Sequence, residues 1–175
     1  MAREPLKTAR LTLRAPRADD AQRLAWLASD FDVARMTTGI PHPFGLADAE
    51  AFLAKVAASD PERDAVFAVE VEGEEGLCGM LGFHHRDERP APEIGYWLGR
   101  PWWGRGLMTE AAAAAVAWAD EDWGKTWLVS GHFADNPASG QVLVKAGFLY
   151  TGEVQQRMSK ARGEITPTRM MVRLA

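Results

Sequence analysis

Hydrophobic and polar residues alternate in the first patterned segment, residues 10–14, with the period-two repeat of a half-buried strand. Pro16 ends this strand, and two aspartates that follow favour a helix start, because carboxylates stabilise the first turn of a helix. A second helix is predicted over 47–57, where apolar residues recur at three- and four-residue intervals. The residues expected on the apolar face of the first helix are Leu24, Leu27 and Phe31.

The middle of the chain changes to shorter apolar runs that are typical of strands. Residues 72–76 combine glycine and glutamate in a predicted hairpin turn, and residues 86–92 are polar and contain proline, which indicates a loop. The predicted strands of this region are 65–71, 77–85 and 93–98.

Helices and strands alternate in the second half of the chain. An alanine-rich helix is predicted to end near residue 121, since alanine has the highest helix propensity. A strand over 126–132, a helix over 136–145 closed by Gly147, and two strands over 148–155 and 164–174 follow. A strand, a helix and another strand in succession favour a parallel, right-handed crossover. The predicted fold class is therefore α/β, a single domain with a mixed, mostly antiparallel central sheet and helices on both faces.

Length and charge restrict the classes of function. The 175 residues have the length of one domain, expected to span 1–175, and a net charge of −4 provides no basic surface for nucleic acid. Cys78 is the single cysteine, which rules out an internal disulfide and favours a reducing compartment. The N-terminus lacks the apolar run of a signal peptide, and no stretch is long enough to span a bilayer. We expect a cytoplasmic protein without a membrane partner.

A glycine-containing loop is the first candidate for chemistry. Gly104 and Gly106 lie between a predicted strand and a predicted helix, where glycines allow a ligand to approach the backbone and the helix start offers unpaired N–H groups to an anion. Arg105 adds a positive charge. The loop matches neither the Walker motif nor the dinucleotide fingerprint, because Leu107 and Thr109 occupy positions that those motifs require to be Lys and Gly. The spacing alone indicates a phosphate loop or a plain turn.

Three blocks carry a resemblance to one enzyme family. The segment 93–111, Glu-Ile-Gly-Tyr-Trp-Leu-Gly-Arg-Pro-Trp-Trp-Gly-Arg-Gly-Leu-Met-Thr-Glu-Ala, closely resembles the acetyl-CoA-binding core of the GNAT (Gcn5-related) N-acetyltransferases. Residues 136–148 are similar to the late helix and following strand of that family, and residues 10–20 to its opening strand and helix. The chain resembles most the branch of the ribosomal-protein N-terminal acetyltransferases, and the resemblance extends over nearly its whole length.

The resemblance implies acetyl-CoA as co-substrate and a set of residues that bind it. The strand 93–98 would pair with the pantetheine arm, and a backbone N–H near Leu98 would face the thioester carbonyl as an oxyanion donor. Asn136 and Ser139 would reach the cofactor from the late helix, although asparagine there is also a good N-cap. Pro101 departs from the family signature, which has Gln or Arg at that position. The pyrophosphate would be held by Trp103, Gly104, Arg105, Gly106, Leu107, Met108 and Thr109.

Acetyl transfer to an amine needs a base for the amine proton and benefits from an acid for the leaving thiolate. Glu93 is the candidate base, since the family branch often has an acidic residue there. His84 and His85 are alternatives, of which strand alternation allows only one to enter a shared site. Ser139 is the candidate acid, because the tyrosine of many family members is replaced by Leu143. Tyr96, Tyr150 and water are weaker alternatives for the acid.

The acceptor remains open between a protein N-terminal α-amine and a small-molecule amine. The segments 30–46, 86–92 and 156–164 are expected to select it, and apolar residues of the first segment would line its entrance: Phe31, Met36, Pro41, His42 and Phe44. A coenzyme A-binding regulator without catalysis is the alternative function, and a nucleotide-phosphate enzyme lacks the lysine or carboxylate that its loop needs. The histidines and the cysteine have no spacing typical of a metal site. The resemblance and the seven tryptophans leave a homodimer open.

Overall fold

The computed structural model of the protein describes residues 4–86 and 90–175. One sheet of eight strands, in the order β1-β2-β3-β4-β5-β6-β8-β7, forms its centre. The strands are β1 (Leu6–Lys7), β2 (Leu11–Arg14), β3 (Asp64–Val71), β4 (Leu77–His84), β5 (Glu93–Leu98), β6 (Trp127–Phe133), β7 (Leu149–Ser159) and β8 (Glu164–Leu174). All neighbouring strands are antiparallel except β5 and β6, so the predicted mixed, mostly antiparallel sheet with one parallel crossover is confirmed.

Helices pack on both faces of this sheet. They are α1 (Ala21–Ala28), α2 (Phe31–Ala34), α3 (Leu46–Ala57), α4 (Leu107–Glu121) and α5 (Pro137–Lys145). On one face, Trp118 of α4 contacts Phe67 of β3 edge to face, with ring centroids 5.3 Å apart. Leu24 of α1 lies on the opposite face, where it lines a cleft together with Met80 of β4. Side-chain alternation along β3 and β4 supplies both apolar faces, because almost every residue of these strands is buried.

The predicted first helix is shorter than its apolar pattern indicated. Asp30 adopts an extended conformation after α1, and its carboxylate accepts a hydrogen bond from the Asp32 N–H at 2.9 Å, which starts α2 as a separate helix. Phe31 therefore belongs to α2 and is 43% exposed, so the expectation that it extends the apolar face of the first helix is wrong. The last hairpin also differs, because β7 continues to Ser159 instead of ending at 155.

The other predicted elements are found within one or two residues of their expected bounds. The helix predicted over 47–57 is α3, and the strand predicted over 77–85 ends at His84. The alanine-rich helix is α4, whose buried face includes Ala111, Ala115 and Ala119. Three residues of the predicted loop 86–92, numbers 87–89, lie outside the described residues.

Candidate active site

A cleft opens where the two parallel strands of the sheet separate. β5 and β6 pair at Glu93 and Val129, and the Val129 N–H donates to the Pro92 carbonyl at 3.1 Å. One residue further on, the Ser130 hydroxyl bridges the widening gap by donating to the Ile94 carbonyl at 2.9 Å. Beyond this bridge the described residues of the two strands are not paired, and both strands line a cleft of about 800 Å³.

The separation leaves one edge of β5 open to a ligand. The Gly99 N–H donates to the Cys78 carbonyl at 2.8 Å, which fixes the phase of the antiparallel ladder between β4 and β5. Backbone groups alternate in direction along a strand, so those of Tyr96 and Leu98 point away from β4 and toward the gap. The Leu98 carbonyl already accepts a hydrogen bond from the Trp103 indole at 2.6 Å. The Leu98 N–H has the orientation expected of an oxyanion donor.

A short 3₁₀ turn, Arg100–Trp102, follows β5, and the glycine loop leads from this turn into α4. Gly104 and Gly106 have φ angles of 72° and 71°, in the left-handed region that glycine adopts without strain. The Trp103 N–H donates to the Arg100 carbonyl at 3.1 Å, so this one member of the predicted phosphate loop is already engaged. Gly106 is the N-cap of α4 and has no side chain that could cap the helix. The first-turn N–H groups of Leu107, Met108 and Thr109 are therefore unpaired among the described residues.

An ion pair between Arg10, the residue before β2, and Glu110 of α4 holds this loop against the body of the protein. The Arg10 guanidinium donates to the Arg105 carbonyl at 3.0 Å and to Glu110 Oε2 at 2.7 Å. Glu110 Oε1 accepts from the Thr8 hydroxyl at 2.6 Å and from the Arg10 N–H at 2.9 Å. The hydrogen bond from Thr8, together with those from Arg10, lowers the Glu110 pKa. Sequence reasoning missed this contact, because about 100 residues separate its partners.

Glu93 lies in the wall of the cleft, at the point where β5 and β6 separate. It is only 8% exposed, and Arg157 of β7 binds both of its oxygens, with Nη1–Oε1 at 2.5 Å and Nη2–Oε2 at 3.2 Å. Gln155 Oε1 accepts two further hydrogen bonds from Arg157, and Arg86 Nε lies 3.5 Å from Glu93 Oε2. The carboxylate is therefore held in a fixed orientation. The role of Arg157 could not be predicted from the sequence, because an arginine in a strand carries no signal of its partner.

Ser139 and Tyr96 meet across the same cleft. The Tyr96 hydroxyl donates to the Ser139 carbonyl at 2.8 Å and lies 2.9 Å from Ser139 Oγ. Burial raises the Tyr96 pKa, and the hydrogen bond to Ser139 offsets this only in part, so the phenol remains a proton donor. Asn136 caps α5 through its side chain, which accepts from the Ser139 N–H at 3.3 Å. The cap fixes the position of Ser139 at the cleft.

A second hydroxyl lies behind Ser139. The Tyr150 hydroxyl is 2.9 Å from His132 Nε2, while His132 Nδ1 is 2.8 Å from the Phe133 carbonyl. A carbonyl only accepts, so Nδ1 carries the proton and Nε2 accepts from Tyr150. A Cβ at Gly140 would lie 2.6 Å from this hydroxyl, so only glycine allows the close approach. Leu143, where many relatives have tyrosine, is fully buried and does not reach the cleft.

Only part of the predicted acceptor entrance lines the cleft. Met36 and Phe44 line it, whereas Phe31 and His42 contact each other with ring centroids 5.1 Å apart. Pro41 does not line the cleft either.

The two neighbouring histidines both border the cleft but differ in their contacts. The His85 ring packs against Trp123, with ring centroids 6.2 Å apart, and its Nδ1 lies 2.5 Å from the Arg63 carbonyl oxygen. The expectation that at most one of the two histidines points into the site stays a prediction. Burial lowers the His84 pKa. The Asp64 carboxylate, whose Oδ1 lies 3.5 Å from His84 Nδ1, offsets this lowering in part.

Within 4–86 and 90–175, no group of three or more side chains has the arrangement of a metal site. No helix in the described part of the chain has the length and apolar character needed to cross a membrane.

Comparison with known proteins places these features in context. The profile of the family described as "Acetyltransferase (GNAT) domain" matches residues 10–149. The protein named "Uncharacterized N-acetyltransferase YoaA" of Bacillus subtilis (strain 168) is 28% identical over 155 residues, 87% of each chain. Two solved structures share the fold. One is the microcin C7 self-immunity acetyltransferase MccE in complex with acetyl-CoA and AMP, with a TM-score of 0.81 and 19% sequence identity over 96% of this chain and 94% of that one. The other is the ribosomal L7/L12 α-N-protein acetyltransferase RimL in complex with coenzyme A, with a TM-score of 0.82 and 19% sequence identity over 98% of both chains.

Proposed function

Because the chain belongs to the GNAT acetyltransferase family, we propose that it transfers the acetyl group of acetyl-CoA directly to a primary amine. The observation that carries the proposal is the separation of β5 from β6, which opens a strand edge next to an unpaired helix start. An extended, amide-containing arm fits such an edge, and a pyrophosphate fits such a helix start. The same cleft contains the candidate base and the candidate acid.

Residues of the loop and of β5 would bind the coenzyme. The N–H groups of Leu107, Met108 and Thr109 offer donors to the pyrophosphate, and Gly104 and Gly106 let it approach the backbone. Arg105 adds charge at the same place. Ser139 lines the cleft from the first turn of α5 and would contact the pantetheine end, while Asn136, the N-cap of that helix, would hold Ser139 in place. The coenzyme supplies the activated acetyl group, and the protein supplies its placement.

Glu93 is the proposed base for the amine proton. The transfer forms a C–N bond and breaks the C–S bond, so one proton must leave the nitrogen and one must reach the thiolate. Glu93 would accept the first proton, directly or through a water molecule. Arg157 occupies one lone pair on each oxygen, which leaves the remaining lone pairs for this task and fixes their direction.

Ser139 and Tyr96 would supply the second proton. Their hydroxyl groups lie 2.9 Å apart, so when Ser139 gives its proton to the thiolate, the Tyr96 hydroxyl would turn from the Ser139 carbonyl to reprotonate Oγ, and water in the cleft would return the proton to Tyr96. The Leu98 N–H would stabilise the charge that develops on the carbonyl oxygen. No side chain acts as an acyl-carrying nucleophile in this scheme, since Cys78 is fully buried in β4.

A primary α-amine of a protein N-terminus is the acceptor class that the fold relatives favour, because RimL is named an α-N-protein acetyltransferase. A small-molecule amine is the competing class, since MccE is named for self-immunity to a microcin. The wide cleft accommodates either class of acceptor.

The test combines binding with turnover in wild type and Glu93→Gln. Release of free thiol from acetyl-CoA is followed with a panel of N-terminal peptides and small amines. We expect Glu93→Gln to lower kcat by about 10²- to 10⁴-fold, the usual contribution of a general base, with acetyl-CoA affinity within about twofold of wild type. Calorimetry and thermal unfolding serve as the control that the variant is folded. Bound acetyl-CoA without turnover of any amine in the wild type would instead support a coenzyme A-binding regulator.

A further inference from the structure

Cationic side chains outnumber carboxylates along the cleft, although the whole chain has a net charge of −4. Among the described residues, four cations line the cleft against two carboxylates. The cations are Lys55, Arg86, Arg157 and Lys160, and the carboxylates are Asp64 and Glu93. A cleft of opposite sign to the rest of the surface focuses the field on a ligand of negative charge.

Both carboxylates already have partners. Glu93 is bound by Arg157 through two hydrogen bonds, and Asp64 Oδ1 accepts from the His85 N–H at 3.2 Å and lies 3.5 Å from His84 Nδ1. Lys160, by contrast, forms no ion pair with any described residue, and its side chain is exposed at the cleft. The positive charge of Lys160 is therefore not used within the described part of the protein.

A smaller adjoining cleft has an even larger excess of cations over carboxylates. It has a volume of about 460 Å³, and its described lining includes Arg86, Arg157 and Lys160 but no carboxylate. These three cations also line the main cleft, so the two spaces share a wall. The turn that carries Lys160 is attached to the segment before α3, since the Lys160 N–H donates to the Thr38 carbonyl at 3.3 Å. This bond fixes the backbone of Lys160, while the Arg86 and Arg157 side chains contact Glu93, the proposed base.

We propose that the acceptor amine carries a carboxylate or phosphate group close to the amine, and that Arg86 and Lys160 bind this group. The inference rests on the proposed function, because it places the amine beside Glu93. Arg157 makes four hydrogen bonds to Glu93 and Gln155, so of its five N–H donors one, on Nη1, is left for a ligand, and its main contribution to the subsite is charge. Polyamines and lysine-rich N-termini are disfavoured acceptors, because like charges repel at this wall.

The experiment compares matched acceptors that differ only in charge. The peptide acceptors are three tetrapeptide amides with glutamate, glutamine or lysine at the second position. The small acceptors are free aspartate and, as its neutral counterpart, asparagine amide. The measured quantity is the ratio of kcat/KM for the acidic acceptor to that for its neutral isostere. The enzymes are wild type, Lys160→Gln, the double variant Arg86→Gln/Lys160→Gln, and Lys145→Gln, an exposed lysine of α5 outside both clefts, as matched control.

We expect a wild-type ratio of about ten or more, which falls about fivefold in Lys160→Gln and further in the double variant, since each charged contact at an exposed site contributes a modest factor. Lys145→Gln should keep the wild-type ratio. The peptide arm and the small-acceptor arm show which source supplies the anion. A ratio near one in both arms, or one unchanged in the double variant, overturns the inference while leaving the acetyltransferase intact. Absence of turnover with every amine overturns the proposed function, and the inference with it.

Discussion

A buried ion pair between β2 and the start of α1 provides a stringent test of the fold. The Arg14 guanidinium donates to both oxygens of Asp20, with Nη1–Oδ2 at 2.9 Å and Nη2–Oδ1 at 2.7 Å, and both side chains are 7% exposed. Asp20 Oδ2 also accepts from the Arg17 N–H at 2.7 Å. Glu70 of β3 binds the remaining edge of Arg14 at 2.6 Å. We predict that Asp20→Asn destabilises the protein strongly.

The magnitude follows from what the substitution leaves behind. Removal of one partner from a buried pair costs about 3–5 kcal/mol when the other charge is left uncompensated. Glu70 still neutralises Arg14 in the variant, so we expect the loss in the free energy of unfolding to be smaller, about 2–4 kcal/mol. For a chain of this length, that loss corresponds to a decrease in Tm of very roughly 5–15 °C.

Urea denaturation followed by tryptophan fluorescence measures the effect at pH 7. Asp19→Asn is the matched control, because Asp19 is exposed and makes no side-chain contact among the described residues; we expect it to change stability by less than about 0.5 kcal/mol. Equal stability of the two variants would refute the reasoning.

The pH dependence of the same variant gives a second measurement. Burial alone would raise the Asp20 pKa, but the hydrogen bonds from Arg14 and the Arg17 N–H outweigh it, so the pKa is lowered in the folded state. A lowered carboxyl pKa stabilises the fold above the unfolded-state pKa of about 3.9, and the stabilisation is lost as pH falls through the folded-state pKa. The difference between wild type and Asp20→Asn should therefore stay constant from pH 7 to 5 and shrink below about pH 4.

Three further predictions concern the site itself. Arg10→Ala should raise the Kd for acetyl-CoA about fivefold, because Arg10 holds the Arg105 carbonyl of the loop, and calorimetry measures it. Gly79→Ala should lower the free energy of unfolding by about 1–3 kcal/mol in urea, since its Cβ would lie 2.4 Å from the Trp97 carbonyl oxygen of β5. Ser139→Ala should lower kcat about tenfold or more in the thiol-release assay, with little change in acetyl-CoA affinity.

The Arg10 and Gly79 predictions each have a matched control variant, and each of the three has a result that would contradict it. Arg17→Ala removes an exposed arginine that does not contact the loop, and an equal Kd for both arginine variants would contradict the role of Arg10. Gly95→Ala places a Cβ in open space on the neighbouring strand β5, and a loss as large as that of Gly79→Ala would exclude the steric explanation. An unchanged kcat in Ser139→Ala would leave water as the proton source.

The order of elements could be predicted from the sequence, because each is specified locally. The alternation of Leu11 and Leu13, the alanines of α4 and the asparagine before α5 act over a few residues, and the structure places each as expected. The break between α1 and α2 was missed, since Phe31 continues the helical spacing of Leu24 and Leu27 and only the capping carboxylate of Asp30 interrupts it. Local capping overrode the apolar repeat.

The contacts of the site depend on long-range pairing and could not be read from the sequence. Glu93 was expected in the site, but its partner Arg157 follows 64 residues later on β7. Arg10 and the loop are likewise distant in the chain. The open edge of β5 arises from the register in which β5 meets β6, and no residue type signals where two parallel strands will separate.

Amide hydrogen exchange of residues 93–109, measured by NMR with and without acetyl-CoA, tests the central claim most directly. The account predicts that saturating acetyl-CoA slows exchange of the Tyr96 and Leu98 amides at the open edge of β5 and of the amides of the first turn of α4. The amides of β3, in the middle of the sheet, are the internal reference: acetyl-CoA should not slow any one of them more than the others. Exchange at the edge of β5 that is unaffected by acetyl-CoA would contradict the placement of the coenzyme between β5 and β6.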